Sequence, residues 1–290
     1  MSLLKRVEPI MVITLAATLL PTMAVIIIFA FLMRDSYPLF SSAGLSLFIG
    51  KEWHPGDGTY GALPMIYGTL IVTLLSLIFS LPFATGSAVF VSEFLPERLR
   101  VWVKGCMELL AGVPSIVYGL IGIAILDEIV KSTFTLNEGS SILTASILLG
   151  IMILPTIMTI SEDAIHNVPE EYREASLGLG LTRTESIISA VLPMAMPGIL
   201  SAILLGIGRA MGETMAVMLV IGSIDRLPSP FYNILSPSQT MTSKLGREAA
   251  EGLGSGLHWN ALVGLGLILF IMVIGITLLS EVISNRWKRL

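Results

Sequence analysis

Residues 206–217 read "GIGRAMGETMAV", which sets a guanidinium, Arg209, and a carboxylate, Glu213, one helical turn apart inside an apolar run. Guanidinium stays charged at physiological pH and presents paired donors that match the oxygens of an oxyanion. Glu213 is expected to hold the guanidinium in place and temper it, so that an anion is admitted and then released. Thr214, beside Glu213, and Ser115 with Tyr118, flanking a helix break expected at Pro114, are the other polar residues placed to line such a route. Helix packing is the preferred reading of each of those three. His54 and His258 lie in different loops without ligand-like spacing, so no metal site is expected.

An intrahelical pair four residues apart contributes only about 0.2–0.5 kcal/mol, and the acid-first order is the better one. Arg209 and Glu213 stand in the reverse order. Placing one charge at mid-bilayer costs roughly 2.5–3.5 kcal/mol even on lenient scales. The pair therefore has to face a bundle interior or an aqueous path, and both a structural ion pair and a place on a translocation route remain open. Gly198, Ala202, Gly206 and Ala210 recur every fourth residue, as do Gly208, Gly212 and Ala216. Small residues at that spacing let neighbouring helices approach closely on two sides.

Those helices must lie in a membrane. Of 290 residues, 54% are hydrophobic and 13% charged, where a soluble domain carries roughly 25% charged residues. The apolar residues form long uncharged runs, which predicts an all-α integral membrane protein in one domain. Six spans are expected, at about 10–33, 66–91, 104–128, 142–160, 195–221 and 262–283. The first follows Lys5 and Arg6 as a signal peptide does, but it is too long for one and lacks a cleavage site, so it reads as a retained span. Pro21, Pro82, Pro114 and Pro155 fall within spans, where kinks are tolerated only if neighbours satisfy the freed carbonyls. The single cysteine, Cys106, fixes no compartment, and no basic cluster suits nucleic acid.

With the N-terminus inside, Lys5, Arg6, Arg98, Arg100, Lys104, Arg173, Arg183, Arg286, Lys288 and Arg289 are cytoplasmic. Arg34, Lys51, Lys131, Arg226, Lys244 and Arg247 are then outside. Ten against six follows the positive-inside bias and puts both termini in the cytoplasm, in a plasma (inner) membrane.

Residues 161–194 form an inner loop longer than a hairpin requires. Pro169, Glu170 and Glu171 start a helix well. Gly178 and Gly180 end it, and Thr182 with Glu185 makes a capping box for the next. A helix pair lying on the membrane is the alternative, but Glu170, Glu171 and Glu174 would meet an anionic leaflet. A knob that docks into a protein groove fits better.

Glu174-Ala175-Ser176, then Gly180, then Ala190-Val191-Leu192-Pro193 resembles the "EAA" loop of binding-protein-dependent ABC permeases. Ser176 stands where the pattern has alanine, and Ala190 where it has an aliphatic residue. "EWHPGDGTYGALPMIYGTL" (52–70), "SEFLPERLR" (92–100), "ELLAGVPSIVYG" (108–119), "LGIMILPTIMTISEDAI" (149–165) and "GRAMGETMAV" (208–217) extend the likeness over nearly the whole chain. They are similar to the PstC-type permease family of phosphate-specific ABC importers. The resemblance implies a type I importer permease whose loop, through Glu174, Ala175, Ser176, Gly180, Leu192 and Pro193, forms a coupling helix against an ATPase. It implies a second homologous permease, two ATP-binding subunits that hold ATP and Mg²⁺, and an extracytoplasmic phosphate-binding protein, with membrane lipid around the spans. No G-x-x-x-x-G-K-[ST] loop, nucleophile or acid–base dyad occurs, so the chain is expected to be no enzyme and to need no cofactor of its own. Permeases for sulfate, molybdate or tungstate, and an ATPase-independent secondary transporter, are the alternatives.

Overall fold

A computed structural model of the chain describes residues 4–44 and 46–287. Helix α1 (Leu4–Ala43) leads to a short α2 (Ser46–Ile49) and a hairpin in which β1 (Trp53–His54) pairs antiparallel with β2 (Thr59–Tyr60). Next come α3 (Leu63–Phe94) and α4 (Glu97–Ala111), then α5 (Ser115–Ile121), a π segment (Gly122–Asp127) and α6 (Glu128–Phe134). Helix α7 (Ile142–His166) is followed by α8 (Glu170–Gly178) and α9 (Arg183–Ser186), which runs through a second π segment (Ile187–Val191) into α10 (Leu192–Gly212). The chain continues with α11 (Met215–Val220), α12 (Met241–Gly252) and α13 (Leu257–Trp287).

Five of these helical stretches are long and apolar enough to cross a membrane, and a bent pair makes up to six crossings. The fourth span is the hub, packed against α3, α4 and α10 and the most buried of all. Its leading N–H groups, which a helix start leaves unpaired, are all met. Ser141 Oγ accepts from Thr144, while Ile142 and Leu143 donate to the carbonyls of Ser236 and Ile234 at 3.1 and 2.8 Å. The expected small-residue stripe forms the α7–α10 contact: a Cβ on Gly198 would sit 2.4 Å from Ala164, and one on Gly206 2.6 Å from Ile157. The second stripe differs. Gly208 and Gly212 face open space, and only Ala216 is packed.

Two expected spans are not continuous helices. The third turns through 87° between α4 and α5, because Pro114 lacks an N–H and forces Val113 out of the helical region. The fifth stops at Gly212, with Glu213 extended, and restarts as α11. The fourth instead runs on to His166, past the expected end at residue 160. The helix opened by Thr182 does not end before the fifth span but merges with it. Of the cations used to orient the chain, Lys288 and Arg289 lie outside the described residues, as do the side chains of Lys5, Arg6 and Arg286.

At the end of the bundle opposite α8, Leu39, Leu47, Trp53, Tyr60, Met65 and Leu262 form a smaller core. It covers Lys244, which is 1% exposed, paired with Asp225 and Glu248, and 5.2 Å from the Trp53 ring. Burial there also pushes the Tyr60 phenol above its ordinary value.

Candidate functional site at two helix breaks

The two breaks meet. Arg209, in the last turn of α10, donates from Nη1 to Thr156 Oγ1 at 2.7 Å and from Nη2 to the Ala111 carbonyl at 3.0 Å. Ala111 ends α4, so its carbonyl is one of those a helix end leaves unpaired, and the negative end of the helix favours a cation there. Tyr118, just past the turn, donates to the neighbouring Leu110 carbonyl at 2.9 Å. Thr156 lies ten residues before His166 on α7, about 15 Å along the axis, which is half of a hydrocarbon layer of about 30 Å. Arg209 is thus held at mid-depth and turned into the bundle.

The expected Arg209–Glu213 ion pair is absent. Because the helix ends at Gly212, the two side chains do not keep the one-turn relation that the sequence spacing suggests. Glu213 Oε1 instead accepts from the Ala216 N–H at 3.2 Å and so caps α11. Each charge is matched to a helix end rather than to its neighbour. A guanidinium has five N–H donors, and the protein engages two of them here. Thr214 Oγ1 bonds only to the Gly212 carbonyl, at 3.3 Å, and Ser115 opens α5, half-buried. All four expected route residues therefore sit at the two breaks. Thr156 and Ala111, which fix Arg209, were not expected. From the far side, Thr242 Oγ1 at the start of α12 donates to the Glu213 carbonyl at 2.8 Å.

A different charged layer lies at the α8 end. Arg100 of α4 meets Glu162 of α7 at 2.6 Å, Lys104 reaches the other Glu162 oxygen at 3.4 Å and also pairs with Asp163, and Glu162 is fully buried. Arg100 and Lys104 were expected only as cytoplasmic cations. The overlooked signal is "SEDAI" closing a membrane span, since a buried carboxylate there requires a cation.

The loop takes the expected form. Thr182 and Glu185 make both bonds of the capping box, and Gly180 adopts the left-handed conformation, φ +87°, between α8 and α9. Ser176 is buried with its hydroxyl against Ser186, while Glu174 and Ala175 are exposed. Leu192 and Pro193 begin α10, half-buried and exposed respectively. Tyr172, Leu177 and Leu179 present an apolar tip, with Leu179 84% exposed.

The family model described as "Binding-protein-dependent transport system inner membrane component" matches residues 80–289. The chain belongs to that family. This permease is similar to the phosphate transport system permease protein PstC of Mesorhizobium japonicum, 33% identical over 274 residues, or 88% of this chain and 83% of that one. PstC of Pasteurella multocida is 36% identical over 277 residues, or 89% and 85%. A solved bacterial ABC transporter involved in the import of the acidic polysaccharide alginate superposes on it with a TM-score of 0.60. It is 17% identical and covers 94% of this chain and 95% of that one. The permease therefore has the type I ABC importer fold, spans the membrane several times, and is a transport subunit rather than an enzyme.

Proposed function

We propose that this permease moves inorganic phosphate across the plasma (inner) membrane by alternating access, as one subunit of an ATP-driven ABC importer. The observation that carries the reading is Arg209, a fixed mid-depth guanidinium with donors to spare where two helices break. Discontinuous helices at the bilayer midplane are where transporters gather their substrate sites. Arg209 guides the anion, Glu213, Thr214 and Ser115 line its path, and Glu213 keeps the anion from staying. Its relatives' phosphate names support the choice of anion.

Both termini face the cytoplasm, and so does α8. Its apolar tip, with Glu174, Ala175, Ser176 and Gly180 around it and Leu192 and Pro193 behind, docks on one of two ATPase subunits, which bind the ATP and Mg²⁺. A second, homologous permease completes the route, membrane lipid surrounds the spans, and an extracytoplasmic phosphate-binding protein delivers cargo at the α12 end. ATP-dependent phosphate uptake in vesicles tests this. Arg209→Gln, in complexes that assemble normally, is expected to lower uptake about 10- to 100-fold, the worth of a charge-assisted contact. Wild-type uptake in that variant would remove Arg209 from the route.

A further inference from the structure

Arg173 of α8 points back into the molecule, 14% exposed. Its Nη2 donates to Glu93 Oε1 at 2.9 Å and to the Ile165 carbonyl at 3.0 Å, and its Nη1 donates to the Val168 carbonyl. Glu93 stands in the last turn of α3 and is 8% exposed. From the other side of the loop, Arg183 donates to the Glu93 carbonyl and lays its guanidinium 5.1 Å over the Phe94 ring. Two arginines, one from each helix of the knob, thus grip the last turn of α3, and Arg173 also holds the Ile165 carbonyl in the last turn of α7 and the Val168 carbonyl just past it.

We propose that Arg173, with Glu93 as its anchor, is the positioning residue that makes the knob and the α3–α7 pair move as one body. The inference rests on the importer reading. The tip of α8 is exposed, so a push on it reaches the spans through the chain itself, the Ser176–Ser186 contact and these arginines. Along the chain α8 joins α7 through residues 167–169 and α9 past left-handed Gly180, so its tie to α3 runs through side chains. The Arg173 fork ties three segments at once, through planar paired donors that lysine does not possess.

The test uses the assembled complex with its ATPase and binding-protein partners, and reads phosphate imported per ATP hydrolysed. Arg173→Met is expected to keep ATP hydrolysis and lower that ratio about tenfold, within the range a residue on a coupling network supplies. A second arm places Glu93→Cys and Arg173→Cys in a Cys106→Ser background, since Cys106 is exposed. The free pair is expected to be uncoupled, and a short bis-maleimide bridge is expected to restore the ratio, which no merely local folding role predicts. An unchanged ratio in Arg173→Met, or a bridge that restores nothing, overturns the proposal. Should Arg173→Met fail to assemble, Glu93→Gln keeps the acceptor and removes the charge; a lowered ratio supports the joint and a wild-type ratio sinks it. Failure of the importer reading is separate, seen as wild-type complex that hydrolyses no ATP and imports no phosphate.

Discussion

Arg100 and Arg209 occupy the same bundle and meet the membrane's penalty for charge in opposite ways. Arg100 closes on a carboxylate: Glu162 is fully buried, Lys104 takes its second oxygen, and Glu97 holds the other side of the guanidinium at 3.0 Å. Arg209 closes on a helix end and a hydroxyl, with no anion against it. The first arrangement sets every cation against a carboxylate, and it fastens α4 to α7. The second leaves a cation with unengaged donors. Charge alone therefore does not set Arg209 apart; the want of a neutralising anion does, and its proposed place on the route rests on that.

That contrast is broken most severely at Glu162. Glu162→Ala removes the buried anion that Arg100 and half-buried Lys104 share, leaving them only the more exposed Glu97 and Asp163, and is expected to cost up to about 3–5 kcal/mol, read as lost thermal stability of the purified complex. Arg100→Met combined with Glu162→Met should recover much of that loss, because removing both ions of a buried pair is often neutral. At mid-depth the balance shifts from stability to transport. Arg209→Lys should leave thermal stability within about 1 kcal/mol, since a cation still meets the α4 end. Phosphate uptake should nevertheless fall about tenfold, because an ammonium cannot hold both anchors and also present paired donors. Stability loss without uptake loss would make Arg209 a fastener like Arg100. The smallest effect is expected at Glu213→Gln, which keeps the cap on α11 and gives up about 0.3–1 kcal/mol of its interaction with the helix end. A larger loss would mean that the carboxylate has an ionic partner after all.

The knob was legible in the sequence because its signals are local. Pro169, the Thr182–Glu185 box and Gly180 each dictate backbone within a few residues, and α8 and α9 start where those residues require. The stripe from Gly198 to Ala210 was legible for the same reason, since every fourth small residue marks one helix face. The pairing of Arg209 with Glu213 was misread because spacing implies proximity only in an unbroken helix, and two non-helical residues vanish in a hydropathy average over some 19 positions. Pro114 announced the break near Ser115, but nothing local announces an 87° turn. Thr156 was invisible, being 53 residues from Arg209 in the chain and joined to it only by how α7 and α10 pack.

Helix α1 has 40 residues, or about 60 Å at 1.5 Å per residue, twice the depth of a hydrocarbon layer of about 30 Å. Its side chains from 11 to 31 are exposed, yet near its far end Ser36 is buried against Gly264 of α13 and Leu39 in the core that holds Trp53. A rod so long, packed on α13 with Phe29 stacked against Phe270 yet exposed over residues 11 to 31, meets a change in bilayer thickness by tilting. The cap over Lys244 is thereby yoked to the lipid itself, and thinner or thicker membranes will lean on it through this strut.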